Sequence, residues 1–213
     1  MCKMNLIRRL AAERRAIAAI EMALLAPVLL LMCLGAADLV LEIENWYRLN
    51  NVTTQIGEIV SQCQAVSPTD INALFADAAQ IAAPLSITGA DSSVNGTTYI
   101  TVIGLNSGNT PVVEWQQFQG YSGNHSNFGG QGSAVSATNI GQFSLTSGEV
   151  LIAVESFAKP SLWGLSYGWM GNAQPLLSSE SMFIGRISGT TTAATGLATS
   201  PARNSSSGAL CTQ

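Results

Sequence analysis

The stretch RRAIAAIEMALLAPVLLLMCLGAADLVLEI, residues 14–43, decides how this chain is organised. Two arginines open it, and a predominantly apolar run then extends to Ala37, interrupted by Glu21 and followed by Asp38. About 20 consecutive apolar residues are needed to cross the hydrocarbon layer of a bilayer. The run therefore predicts a transmembrane helix over residues 17–41, with Glu21 near one edge. A secretory signal peptide is the competing reading. The apolar part exceeds a usual signal core, and no Ala-x-Ala type site followed by a mature start is evident.

Charge flanks this span unevenly. Residues 1–20 carry Lys3, Arg8, Arg9, Arg14 and Arg15 against Glu13, whereas from Trp46 onward Arg48, Lys159, Arg186 and Arg203 face eight acids. Basic residues beside an apolar span stay on the cytoplasmic side, so the N-terminus is expected inside and everything after the span outside. The whole chain has 213 residues, a net charge of -4, 47% hydrophobic and 10% charged residues. That balance points away from a cytosolic enzyme and gives no basis for a nucleic-acid partner.

Beyond Asp38, the residues Trp46, Leu49, Val52, Ile56, Ile59 and Cys63 recur at steps of three and four, one face of an amphipathic helix. One continuous helix is expected from residue 17 to about 64, on the order of 70 Å long at 1.5 Å per residue. Pro27 inside it removes one backbone hydrogen bond, which transmembrane helices tolerate. Ser67-Pro68-Thr69-Asp70 then reads as a helix start, with a capping serine, proline at the first position and an acid near the positive end of the dipole. Ile71, Leu74, Phe75, Ala78, Ile81 and Ala82 follow at helical spacing until Pro84.

From residue 97 the pattern changes to strands. Residues 98–104 and 111–118, joined by Asn106-Ser-Gly-Asn-Thr110, predict a hairpin. Residues 149–157 form the strongest strand and 177–187 a fourth. The glycine- and asparagine-rich stretch 120–132 reads as a loop with little to bury. Trp163, Tyr167 and Trp169 lie among glycines and are candidates for surface contact. The Thr/Ser/Gly-rich tail 189–213 has little to bury. The predicted organisation is a basic leader (1–16), transmembrane helix (17–41), helix extension (42–64), α+β head (65–188) and tail (189–213). The fold class is α+β: a long N-terminal helix, a second short helix and a small antiparallel sheet of about four strands.

Little in the sequence speaks for chemistry. His125 is the single histidine and lies in the Gly/Asn loop, where nothing suggests the held geometry of a catalytic triad. Cys2, Cys33, Cys63 and Cys211 fall on three sides of the expected topology and cannot build a metal site. Cys63 and Cys211 would share the outside, where they either form a disulfide or remain thiols. Glu114 and Glu155, on predicted strands, are either an acid–base pair or solvent-facing sheet residues. Asn51, Asn95, Asn124 and Asn204 match the glycosylation sequon, a match that Asn-rich chains produce by chance. Glu21 is the sharp feature: an acid within a membrane segment is costly and marks function or snorkelling.

Residues 14–27, RRAIAAIEMALLAP, resemble the N-terminal signature of TadE/TadG-like proteins, the minor pilins or pseudopilins of the tight-adherence (Flp, type IVc) pilus. Residues 51–62, 66–84 and 145–155, with Trp115, Pro160 and Phe183-Ile-Gly-Arg186, continue the resemblance in order. It implies cleavage by a prepilin peptidase that leaves the glutamate as fifth residue, here between Ala16 and Ile17. Ala16 stands where that peptidase favours glycine. The new amine of Ile17 would be a partner for Glu21 of a neighbouring subunit. The resemblance further implies no catalytic activity and no cofactor or metal. The implied partners are other pilins, the pilus assembly machinery and membrane lipid. Two other readings remain from the residues: a membrane-anchored adhesion module using the 120–132 loop and the three aromatics, and an anchored hydrolase.

Overall fold

The computed structural model describes residues 14–63, 65–66, 68–89, 96–141, 143–146, 149–160, 176–185 and 198–199. Its elements are α1 (Arg14–Ser61), β1 (Ala65–Val66), α2 (Pro68–Ala82), β2 (Thr97–Leu105), β3 (Pro111–Gly120), β4 (Leu151–Ala158), β5 (Leu177–Ile184) and β6 (Ala198–Thr199). This is the α+β arrangement expected from the sequence. Two compact units divide the chain, one holding residues up to Ile43 and the other, the head, beginning at Glu44.

In the head, the part of α1 that follows Glu44 buries Leu49, Val52, Ile56 and Val60. The spacing is the one that puts an apolar stripe on a single face. The stripe differs from the sequence expectation at two positions and ends, as expected, on a buried Cys63. Trp46 is 47% exposed, and Val60 takes the buried place expected for Ile59, which is exposed. A helix turns about 100° per residue, so after Ile56 either position at the next step can face the core, and the sheet selects Val60. α2 keeps Asp70 in its first turn and buries Ile71, Leu74, Phe75, Ala78 and Ala82. An Arg48 guanidinium N–H donates to the Ala83 carbonyl just past the end of α2, tying the two helices together.

Both helices contribute to one core with Ile100, Val102, Trp115, Ile152, Val154 and Ala158 of the sheet. The sheet is antiparallel with order β3-β2-β4-β5. A bulge between Val102 and Ile103 places Glu114 as an extra residue on β3. β1 and β6 form a separate two-residue parallel pair.

The opposite face of the sheet carries a second apolar cluster: Ile103, Val113, Leu151 and Ala153 beneath Phe128, Val135 and Ile140. Those last three belong to the segment between β3 and β4. The expected loop with little to bury is thus a cover. Its tail also lies along the β3 edge, where Val113 N–H donates to Ser133 O at 2.9 Å and Val135 N–H to Pro111 O at 2.8 Å.

β5 meets α1 through a polar contact and a close apolar one. Thr53, fully buried, places its hydroxyl 3.2 Å from that of Ser179. One turn on, a Cβ added at Gly57 would collide with the Phe183 ring. Overpacking of this kind costs about 1–3 kcal/mol, more than the ~1 kcal/mol alanine gains over glycine in a helix. Gly57→Ala is therefore expected to lower the urea midpoint of the head without changing the slope of the transition.

Candidate functional site

The candidate site is the first unit's part of α1. Here the helix is largely apolar and exposed around most of its circumference: Ile17, Ile20, Met22, Leu24, Leu25, Val28 to Met32, Leu39, Val40, Leu41 and Ile43 all show large exposed side chains. A soluble protein does not leave such a surface uncovered. From Ile17 the helix is long and apolar enough to cross a membrane, and none of its apolar window is buried. The backbone remains α-helical through Pro27, as transmembrane helices tolerate.

Glu21 sits on this surface, exposed, one turn from Ile17. An acid at the middle of a span costs about 2.5–3.5 kcal/mol on insertion scales, so its depth matters. Asp38 is the next acid along the helix and is half-buried, as are Leu34, Glu42 and Asn45 on the same face. Cys33 is exposed and free. The helix backbone includes Ala16.

The other expected site residues distribute as follows. Cys63 is buried and disulfide-bonded. Its sulfur lies 3.1 Å from the Ile59 carbonyl oxygen, a contact rather than a hydrogen bond because a bonded sulfur carries no proton. Cys211, Trp163, Tyr167 and Trp169 lie outside the described residues. Alkylation of Cys63 is expected only after reduction, read by peptide mass.

His125 is exposed on the loop. Glu114 and Glu155 are not brought together: Glu155 stands opposite Tyr99 on β2, while Glu114 lies in the bulge beside Val102 and Ile103. That offset is about 10–13 Å along the strand. Nor does Glu155 face solvent; it is fully buried. It accepts the Ser126 hydroxyl proton and, at 2.9 Å, the Asn127 backbone N–H. Glu180 is its cross-strand partner on β5, and Asn127 Nδ2 lies 3.5 Å from Glu180 Oε2. Burial pushes the Glu155 carboxyl above its ordinary range, and the neighbouring Glu180 charge adds to this against the hydrogen bonds from Ser126 and Asn127. Burial also raises Glu180. Tyr99 is raised by burial and by Glu155, and its hydroxyl donates to Asn124 O at 2.6 Å. Every partner in this cluster is a loop or strand of the head, so it fastens the 121–141 cover to the sheet. The sequence signal for it was Glu155 inside an otherwise apolar strand. Among the described residues, no group of three His, Cys, Asp or Glu side chains is placed to hold a metal ion.

Residues 16–56 match the family model of TadE-like proteins. This segment is TadE-like. The match covers the exposed apolar helix with Glu21 and continues to Ile56, within the face that packs on the head. TadE-like proteins are a structural, pilus-associated family, and the likeness rests on this segment alone. The TadE-like segment ends before the sheet, so within the head the match covers only α1 up to Ile56 and none of the strands. No curated protein and no solved structure matches the chain.

Proposed function

We propose that the chain is a structural minor pilin, or pseudopilin, of a tight-adherence pilus, without catalytic activity. α1 anchors it in the cytoplasmic membrane with the N-terminus inside and the head outside. Cleavage between Ala16 and Ile17 by a prepilin peptidase exposes an amine, and Glu21 docks against the amine of a neighbouring subunit. The observation that carries this reading is the coincidence of the TadE-like match with an exposed apolar helix that carries Glu21 near its start. Two costs explain the docking. Exposed apolar side chains favour burial against lipid or other helices, and a carboxylate in apolar surroundings requires a paired charge.

The disulfide of Cys63 suits an oxidising compartment outside the cytoplasm, and Cys211 is its expected partner. The test is to shear surface fibres from cells that carry the intact chain and to sequence its head and N-terminal peptides. Head peptides in the fibre fraction and a mature N-terminus at Ile17 are expected. Normal pili in a strain lacking the gene, together with a chain that in the parent strain is confined to membranes and retains Met1, would overturn the proposal.

A further inference from the structure

The apolar stretch between Glu21 and Asp38, residues 22–37, is about 24 Å long in a helix, shorter than the roughly 30 Å of hydrocarbon in a bilayer. The layer must therefore take in one more turn, either before Glu21 or after Asp38. The first choice buries Glu21 and the second buries Asp38. The two ends are not equivalent.

Before Glu21 the added turn offers Ile17 and Ile20, with Arg14 and Arg15 directly beneath. After Asp38 it offers Leu39, Val40 and Leu41, all exposed. Between one and two turns beyond Leu41 along α1 come Trp46 and Tyr47, also exposed and in an edge-to-face pair at 5.7 Å. Exposed tryptophan and tyrosine at the end of a span settle at the headgroup level. Asp38 has a route to that level, because Glu42 and Asn45 continue its face of the helix in steps of four and three.

Resting on the membrane-anchor reading above, we infer that residues 22–41 fill the hydrocarbon layer, with Asp38 inside it and Glu21 at the inner headgroups. In this register Cys33 lies within about 2 Å of the midplane and Asp38 about 5 Å below the outer edge of the hydrocarbon. Trp46 lies about 7 Å above that edge. Lipid acyl chains are the partner of the whole exposed apolar surface. Glu21 is then wetted while the chain rests in the membrane. It meets apolar surroundings only when the helix moves outward, as it must to enter a fibre. Asp38, which interrupts the apolar run at its other end, is the acid that the resting state holds in lipid and that outward movement releases to water.

The register is measured on the full chain in phosphatidylcholine vesicles. Cysteine is introduced by Ile20→Cys or Leu39→Cys in a chain also carrying Cys2→Ser and Cys33→Ser, with both acids intact. Both positions are about 60% exposed, so neither change disturbs packing. A water-soluble maleimide is expected to label the Ile20→Cys chain at least tenfold faster than the Leu39→Cys chain, with the parent as blank. Equal rates, or the reverse order, overturn the placement. Alkaline carbonate extraction separates the two levels of the claim. A chain that is extracted overturns the membrane anchor and this register with it. A chain that resists extraction but labels in the reverse order overturns the register alone.

Discussion

Replacing Glu155 with alanine is expected to cost the head about 2–5 kcal/mol, while glutamine at the same position leaves it as stable as the natural chain at neutral pH, or more so. Alanine removes the acceptor of the Ser126 hydroxyl and the Asn127 backbone N–H. A buried donor left without a partner costs about 1–3 kcal/mol, and the emptied space beneath the 121–141 cover adds a cavity term. Glutamine keeps an acceptor oxygen and the volume, and removes one of two charges facing each other across β4 and β5. The pH dependence separates charge from packing. Glu155 and Glu180 are both raised above the ordinary carboxyl value, so the folded head binds more protons than the unfolded chain between the ordinary and the raised values. Their contribution is fully present below the ordinary value and is lost as pH rises through the raised ones. Urea midpoints of the natural chain in detergent should thus increase as pH is lowered from about 7.5 towards 5. Glu155→Gln should flatten that rise. Glu149, lowered by its hydrogen bonds with Thr146, acts only below the ordinary carboxyl range and leaves this window alone. A midpoint that falls on acidification, or an alanine variant as stable as the parent, would show that the carboxyl does not fasten the cover.

The legible parts of this fold are those in which one period dominates. Helical spacing from Ile71 to Ala82 marks α2, and the β-branched run over residues 98–104 marks β2, because each element has one face against the helical core. The alternation in β2 and β4 was weak for a reason visible in the structure. Every residue of β4 is buried, since helices cover one face and the 121–141 segment covers the other. The cover itself was not legible. Phe128, Val135 and Ile140 are separated by glycine, serine and asparagine, too sparse for any period, and they act only once the sheet provides a surface. The buried, fastening role of Glu155 was missed for the same reason. Its partners come from the cover and from β5, far away in sequence, and an acid on a strand is ordinarily a solvent-facing one. The helix was legible in extent but not in depth. Apolar length marks a span, while the register depends on which of two acids and which flanking residues the lipid covers.

The largest effect is expected at Glu21. Among the described residues its side chain has no hydrogen-bond or ion-pair partner, and it is exposed on the apolar helix. Glu21→Ala should therefore leave the head's urea midpoint and the amount of chain in the membrane unchanged. Incorporation into fibres is a different matter, because the proposed docked state pairs this carboxylate with the Ile17 amine of a neighbour in surroundings from which water is excluded. Removing one partner of such a pair strands the other charge, a cost of about 3–5 kcal/mol. At about 1.4 kcal/mol per factor of ten, that predicts a fibre-associated fraction at least ~100-fold lower. Glu21→Gln should fail nearly as badly, since it keeps the shape and loses the charge, whereas Glu21→Asp should recover part of the loss. That ordering distinguishes a charge-pairing role from a packing role, in which glutamine would be the best substitute. Quantifying the chain in sheared fibres against membranes for the three variants decides the matter. Wild-type incorporation of the alanine variant would remove Glu21 from the docking mechanism, while leaving the anchor and its lipid register untouched.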